Sequence, residues 1–375
     1  MPERTVIGWD IGGAHVKACM LQGGAVLDVA QWACPLWLGM DRLDAVLHAA
    51  RLRWSGLREA EHAVTMTGEM VDLFANREDG VCRIADGLAR SLDLRSVTGH
   101  GPGSLHFFAG DAGWGRVAEV PALWHAIASA NWLATARHAA LRWDTGLLVD
   151  IGSTTTDLIA FRQGCVLAPD RTDAQRLASG ELVYHGVVRT PLCALAHRID
   201  WRGMPHNVMN EFFATTADVY RLTGELDPAH DQHPSADNAP KDLDATRQRL
   251  ARMIGLDRRD AAEGEWLAFA RNWRALQVTL LGDEMRRVIA THGLGSDAVV
   301  VSAGCGAFLV GDVVAQATAA NADALRPRPA HRQLAYGRDV ARFAAHHGAG
   351  RAAMQAWAQV CAPSVAVAAL FDMDQ

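Results

Sequence analysis

Residues 149–161, VDIGSTTTDLIAF, repeat the plan of residues 8–20, GWDIGGAHVKACM: an apolar strand, an Asp, a turn opened by Ile-Gly, and a second strand. A repeat of this kind bears on the whole fold before any single residue is weighed. Two lobes built on one plan are its simplest explanation.

Reading outward from the first copy, Thr5 to Asp10 and Val16 to Leu21 predict a hairpin with glycines at its tip. Gly24 to Trp32 predicts a third strand, Asp41 to Leu57 a helix, and Ala63 to Thr67 a short strand ending in Gly68 and Glu69. Pro121 to Arg142 predicts one helix, with Pro121 tolerated in its first turn. Beyond the second copy, Gly264 to His292 predicts a long helix whose Trp266, Phe269, Trp273, Leu276 and Leu280 form a packing stripe. Ala298 to Ser302 then predicts a strand leading into the Gly304 to Gly306 turn. The alternation of strands and helices gives an α/β fold. The expected domains are residues 1–144 and 145–375, with the C-terminal segment a candidate to return to the first lobe. Residues 227–242, DPAHDQHPSADNAPKD, carry three prolines and read as a loop insertion. Its Asp231, His233 and Asp237 could ligate a metal, but a mobile lid is the better expectation.

The chain has 375 residues, too many for one ordinary core, is half apolar and carries a formal charge of -6. Two domains follow, and a nucleic-acid surface is disfavoured because no concentrated basic face appears. Seven cysteines lie far apart, without the spacing of a zinc knuckle or redox pair. The opening MPERTVIGWD lacks the apolar core of a signal peptide, and no apolar run approaches the ~20 residues of a membrane span. The expected setting is the cytoplasm, with no membrane partner and with room for a homo-oligomer.

The chemistry of the turns is that of phosphate. Gly12 and Gly13 let backbone amides approach phosphate oxygens, Lys17 adds a point charge, and Asp10 suits a hydrated magnesium ion. The structural alternative is a tight hairpin with a surface lysine. In the second copy Gly152, Ser153, Thr154 and Thr155 offer amides and hydroxyls to an anion, and Thr156 adds a fourth hydroxyl. Asp150 and Asp157 supply carboxylates for a metal. The competing reading is a Thr-rich strand satisfying its own backbone. A third motif, VVVSAGCG at 299–306, ends in Gly304 and Gly306, where backbone can approach a nucleobase or another flat ligand.

DIGGAHVK, DIGSTTTD and VSAGCG, in that order, resemble the two phosphate motifs and the adenosine motif of the actin-like ATPase superfamily. That resemblance implies a two-lobed fold of ribonuclease H-like repeats with a central cleft. Within the superfamily the chain resembles the hydantoinase and oxoprolinase group. TMTGEM at 65–70, DIGSTTTDLI, YHGVVRTPL at 184–192 and ATTADVYRLTGEL at 214–226 resemble its small branch linked to tetrahydromethanopterin and methanofuran one-carbon metabolism. His15 stands where that branch more often carries Asn.

The resemblance implies a transferase that joins a furanmethyl diphosphate to the phenol of a γ-glutamyl-tyramine unit, in methanofuran or methylofuran formation, releasing diphosphate. Gly12, Gly13, Lys17, Gly152, Ser153, Thr154 and Thr155 would hold the diphosphate, with magnesium near Asp10, Asp150 or Asp157. Asp150 would also be catalytic. Glu69 and His185 are the candidate bases for the phenol, and Arg189 could grip a phosphate or a glutamyl carboxylate in bidentate fashion. For Glu69 the structural alternative is a helix N-terminal carboxylate, and for Arg189 a salt link between domains. Two other classes stay open: an ATP-dependent hydrolase of cyclic amides, and a non-enzymatic nucleotide-binding regulator. Use of ATP is also open, because such motifs hold phosphates and not one named ligand.

Overall fold

A computed structural model describes residues 4–94, 103–168, 172–319, 331–344 and 349–374. It divides into two compact units. One comprises Met1–Asp144, Phe161–Val166 and Leu334–Gln375, and the other Thr145–Ala160 and Leu167–Gln333.

The first unit is built on β1 (Thr5–Ile11), β2 (His15–Gln22), β3 (Ala25–Ala33), β4 (Glu61–Met66), β5 (Leu105–Phe108) and β6 (Trp114–Arg116), in the order β3-β2-β1-β4-β5-β6. β1 and β2 are antiparallel, whereas β1 and β4 run parallel with Asp10 beside Thr65. All of β1 beyond Thr5 is buried, so it reads as an unbroken apolar run and not as an alternating one. The apolar helix Ala362–Met373 packs against β1, and Ile7, Trp9, Val64 and Phe107 centre the unit's core.

The remaining strands are β7 (Thr145–Ile151), β8 (Thr156–Arg162), β9 (Cys165–Val166), β10 (Leu182–Val183), a separate β11–β12 hairpin (Arg198–Trp201 and Met204–Asn207), β13 (Val299–Ala303) and β14 (Gln333–Ala335). Their sheet runs β10-β8-β7-β13-β14, with β9 added to β8 and with β13 parallel to β7. A second core, centred on Val149, Tyr220, Trp266, Trp273 and Leu281, fills the second unit.

The two copies of the repeat make the same backbone bonds. Gly12 N donates to His15 O at 3.0 Å, and Gly152 N donates to Thr155 O at 2.8 Å. The parallel strand beside each hairpin also docks in the same way: Thr67 N donates to Ile11 O at 2.9 Å, and Gly306 N donates to Ile151 O at 2.8 Å. TMTGEM in one unit thus takes the structural place that VSAGCG takes in the other.

Three details differ from the sequence reading. The helix predicted over 121–142 is two helices, Val120–Ile127 and Asn131–Ala140, parted at Ser129, whose φ is +51°. On the long helix Glu263–Thr291, the buried stripe continues from Trp273 through Gln277, Leu281 and Met285, while Leu276 and Leu280 are only partly buried. A step of four from Trp273 keeps to the 3.6-residue period, and the polar character of Gln277 hid it from a search for apolar residues.

The insertion 227–242, expected as a mobile lid, carries several ion pairs to the rest of its unit. Asp231 is buried against Arg221 and Lys241, the latter with Nζ 2.9 Å from Oδ1, and Asp237 meets Arg249 at 3.1 Å and Arg252 at 3.2 Å. Its acidic residues therefore face guanidinium and ammonium groups. Among the described residues no group of three or more His, Cys, Asp and Glu could hold a metal ion, and no single helix is long and apolar enough to cross a membrane.

Candidate functional site

In the second unit, the turn after β7 is enclosed by the segment Tyr184 to Arg189. Val187 N donates to Gly152 O at 3.0 Å, while Val188 N and Arg189 N both donate to Ser153 O, at 3.1 and 2.8 Å. Thr156 Oγ1 donates to His185 O at 2.7 Å. Of the four successive hydroxyls, that of Thr156 is therefore committed to backbone, while Ser153 Oγ and Thr154 Oγ1 lie 3.4 Å apart on a half-buried turn.

Gly186 makes this clamp sterically feasible, since a Cβ there would collide with the backbone of Ser153 and Thr154. Its carbonyl is held from behind by Thr216 Oγ1 at 2.9 Å and Gln277 Nε2 at 3.0 Å, and Gln277 in turn accepts from the Tyr220 hydroxyl at 2.7 Å. Gly304, with φ +83°, abuts the Ile151 carbonyl and Asp150 Oδ1 so closely that any side chain would displace the carboxylate. Gly306 lies on the same strand-to-helix turn, where a Cβ would meet Ile151 and Val187.

His185 and Arg189 thus flank the Gly152–Thr155 turn. Both are half-buried, and desolvation lowers the pKa of each. The imidazole is held neutral near pH 7, and its Nδ1 is buried without a hydrogen bond among the described residues. The guanidinium is partly stripped of water, which strengthens its pull on an anion. Asp150 is half-buried at the end of β7. Asp157, expected as a metal ligand, instead receives the buried guanidinium of Arg176, an ion pair that fixes the start of β8 against the helix Asp173–Ser179.

In the first unit, Asp10 is buried at the end of β1 with Lys17 Nζ 3.8 Å from its Oδ2 and Asn131 Nδ2 3.5 Å from its Oδ1. Gly12 and Gly13 form the tip beside it, and Gly68 packs against Gly12. Glu69 follows on a short 3-10 turn with its side chain fully buried, so it is neither a surface carboxylate nor a helix-dipole partner in water. Ser129 Oγ donates to Glu69 Oε1 at 2.7 Å, Arg77 Nη2 donates to the same oxygen at 3.3 Å and to Ser129 Oγ at 2.9 Å. Sequence reasoning missed Arg77, Ser129, Asn131, Thr216 and Gln277. Only the polar residues inside otherwise apolar helical stretches, Asn131 and Gln277, left a signal there.

The geometry has counterparts among known proteins. A family model described as hydantoinase/oxoprolinase matches residues 61–347. A curated protein of Methanocaldococcus jannaschii is 28% identical over 300 residues, covering 80% of this chain and 86% of that protein. Its name is that of a synthase of a furan-2-yl methanamine bearing a γ-glutamylaminoethyl-phenoxymethyl group. A protein of the same name from Methanococcus vannielii is 29% identical over 175 residues, covering 47% of this chain and 77% of its own. Among solved structures, nucleotide-free acetone carboxylase superposes with a TM-score of 0.50 at 13% identity, covering 82% of this chain and 66% of that one.

Proposed function

This chain belongs to the hydantoinase/oxoprolinase family, and from that premise we propose that it is an enzyme forming the aryl ether between a furanmethyl diphosphate and the phenol of γ-glutamyl-tyramine. The observation that carries the reading is the backbone clamp of the Tyr184–Arg189 segment on the Gly152–Thr155 turn, which brings the chain at His185 and Arg189 beside the turn read as a phosphate cradle. The similarity to the two methanogen synthases, whose name contains the same phenoxymethyl-furan linkage, supports it.

In this reaction the phenol oxygen attacks the furan methylene, the bond from that carbon to the diphosphate oxygen breaks, and diphosphate leaves with the electron pair. The phenolic proton passes to His185, which is better placed for it than the enclosed Glu69. In the second unit, Arg189, Gly152, Ser153, Thr154 and Thr155 offer a cation, amides and hydroxyls to phosphate oxygens; Gly12, Gly13 and Lys17 offer the same chemistry within the first unit. Asp150 fits as a ligand to a magnesium ion held mainly by phosphate oxygens, since one or two carboxylates suffice for such an ion. Bound there, magnesium would neutralise charge on the departing diphosphate. Asp10, already near Lys17, is the corresponding carboxylate of the first unit.

The test is incubation of the purified protein with magnesium, the furanmethyl diphosphate and γ-glutamyl-tyramine, following diphosphate release and the ether product by mass. Release of both in equal amounts, without ATP, is expected. The family's name also fits an ATP-dependent hydrolase of cyclic amides, with the Gly304 and Gly306 turn facing a nucleobase. ATP consumption that depends on a cyclic amide, with no ether formed, would replace the synthase reading by that one.

A further inference from the structure

Ser129 is a buried non-glycine residue held in the left-handed region, φ +51°, between two helices that the sequence alone would have joined. A serine there is strained, and such strain persists where the surroundings require it. The required feature is the side chain: its hydroxyl donates to Glu69 Oε1 at 2.7 Å and accepts from Arg77 Nη2 at 2.9 Å. Two residues further on, Asn131 reaches Asp10 at 3.5 Å, so the helix break serves both carboxylates at the ends of β1 and β4.

Arg77 is the member of this set that reaches outward. The Glu69 side chain is 0% exposed, whereas that of Arg77 keeps 30% of its surface accessible. Glu69 itself follows Gly68, which packs on Gly12 of the first phosphate turn. A buried carboxylate and a buried hydroxyl both accept from Nη2 and so restrain the guanidinium at that nitrogen, which is how a charged ligand is pre-organised.

We propose that Ser129 is a positioning residue that, with Glu69, orients Arg77 as an additional ligand for the anionic group of the substrate at the Gly12–Gly13 turn. The inference rests on the phosphate-binding reading of that turn given above.

The test uses inorganic diphosphate with magnesium as the probe, titrated calorimetrically into the full chain and into S129G, R77A and the double variant, with Tm measured for each. S129G removes the hydroxyl and also relieves the backbone, two opposed effects on Tm, so its Tm is expected to stay close to that of the parent while diphosphate binds about tenfold more weakly. R77A is expected to lose at least as much, and S129G to add nothing further in the R77A background. Parent-like binding by S129G, additive losses in the double variant, or a lowered Tm in S129G that accounts for its weaker binding would each overturn the proposal. Failure of the parent itself to bind diphosphate would overturn the phosphate reading and this inference with it, a pattern distinct from the others.

Discussion

Thr156 Oγ1 donates to the main-chain oxygen of His185 at 2.7 Å, tying the proposed base to the first residue of the strand that leaves the phosphate turn. Thr156 is fully buried, so replacing its hydroxyl by a methyl leaves that carbonyl without this donor. T156V is expected to lower stability by about 1–3 kcal/mol. Its kcat for ether formation should fall by more than its KM rises, as measured by steady-state diphosphate release. A kcat equal to that of the parent would show that the bond only supports the fold.

Asp150 and Arg189 separate the chemistry of the turn into two measurements. D150N keeps size and most packing beside Gly304, so thermal unfolding should be nearly unchanged while turnover is lost. R189A should chiefly raise KM for the diphosphate substrate, by roughly tenfold or more for a lost charge-assisted contact. Full activity of D150N at saturating magnesium would remove its assigned role.

Acid stability should be governed partly by two buried histidines. His62 and His138 are both pushed down to about 4, in each case mainly by burial. Because their folded pKa lies below the unfolded value near 6.5, the unfolded chain takes up protons first as pH falls. Stability is therefore at its full value above pH 6.5 and declines between 6.5 and about 4, by up to about 3 kcal/mol for each histidine. Urea unfolding of the parent and of H62Q across this window checks the sign, since H62Q should show the shallower decline.

Removing one partner of the insertion's anchor should be costly. Arg249 is fully buried with Nε 2.7 Å from Asp218 Oδ1, and it also reaches Asp237 in the insertion at 3.1 Å. R249M leaves the buried Asp218 carboxylate with Arg221 as its remaining cationic partner, for an expected loss of about 3–5 kcal/mol. In the parent, amides of residues 227–242 should resist hydrogen exchange, and in R249M they should exchange rapidly. Fast exchange in the parent would favour the lid expected from composition.

The sequence by itself determined the repeat, the two glycine-tipped hairpins and the family. These depend on local backbone demands and on strand-length apolar runs, which are written in neighbouring residues. It also marked His185 and Arg189 as candidates. Their place beside the Gly152–Thr155 turn came only from tertiary structure, through Gly186, whose missing side chain admits one loop against another. Likewise the break at Ser129 has no Gly or Pro to announce it, and the Ser129, Glu69 and Arg77 contact joins residues 52 and 60 positions apart. Asp157 illustrates the converse: its motif predicts a metal ligand, but a buried guanidinium from a later helix takes the carboxylate. Long-range pairing of charges depends on which helix comes to rest where, and no local pattern encodes that.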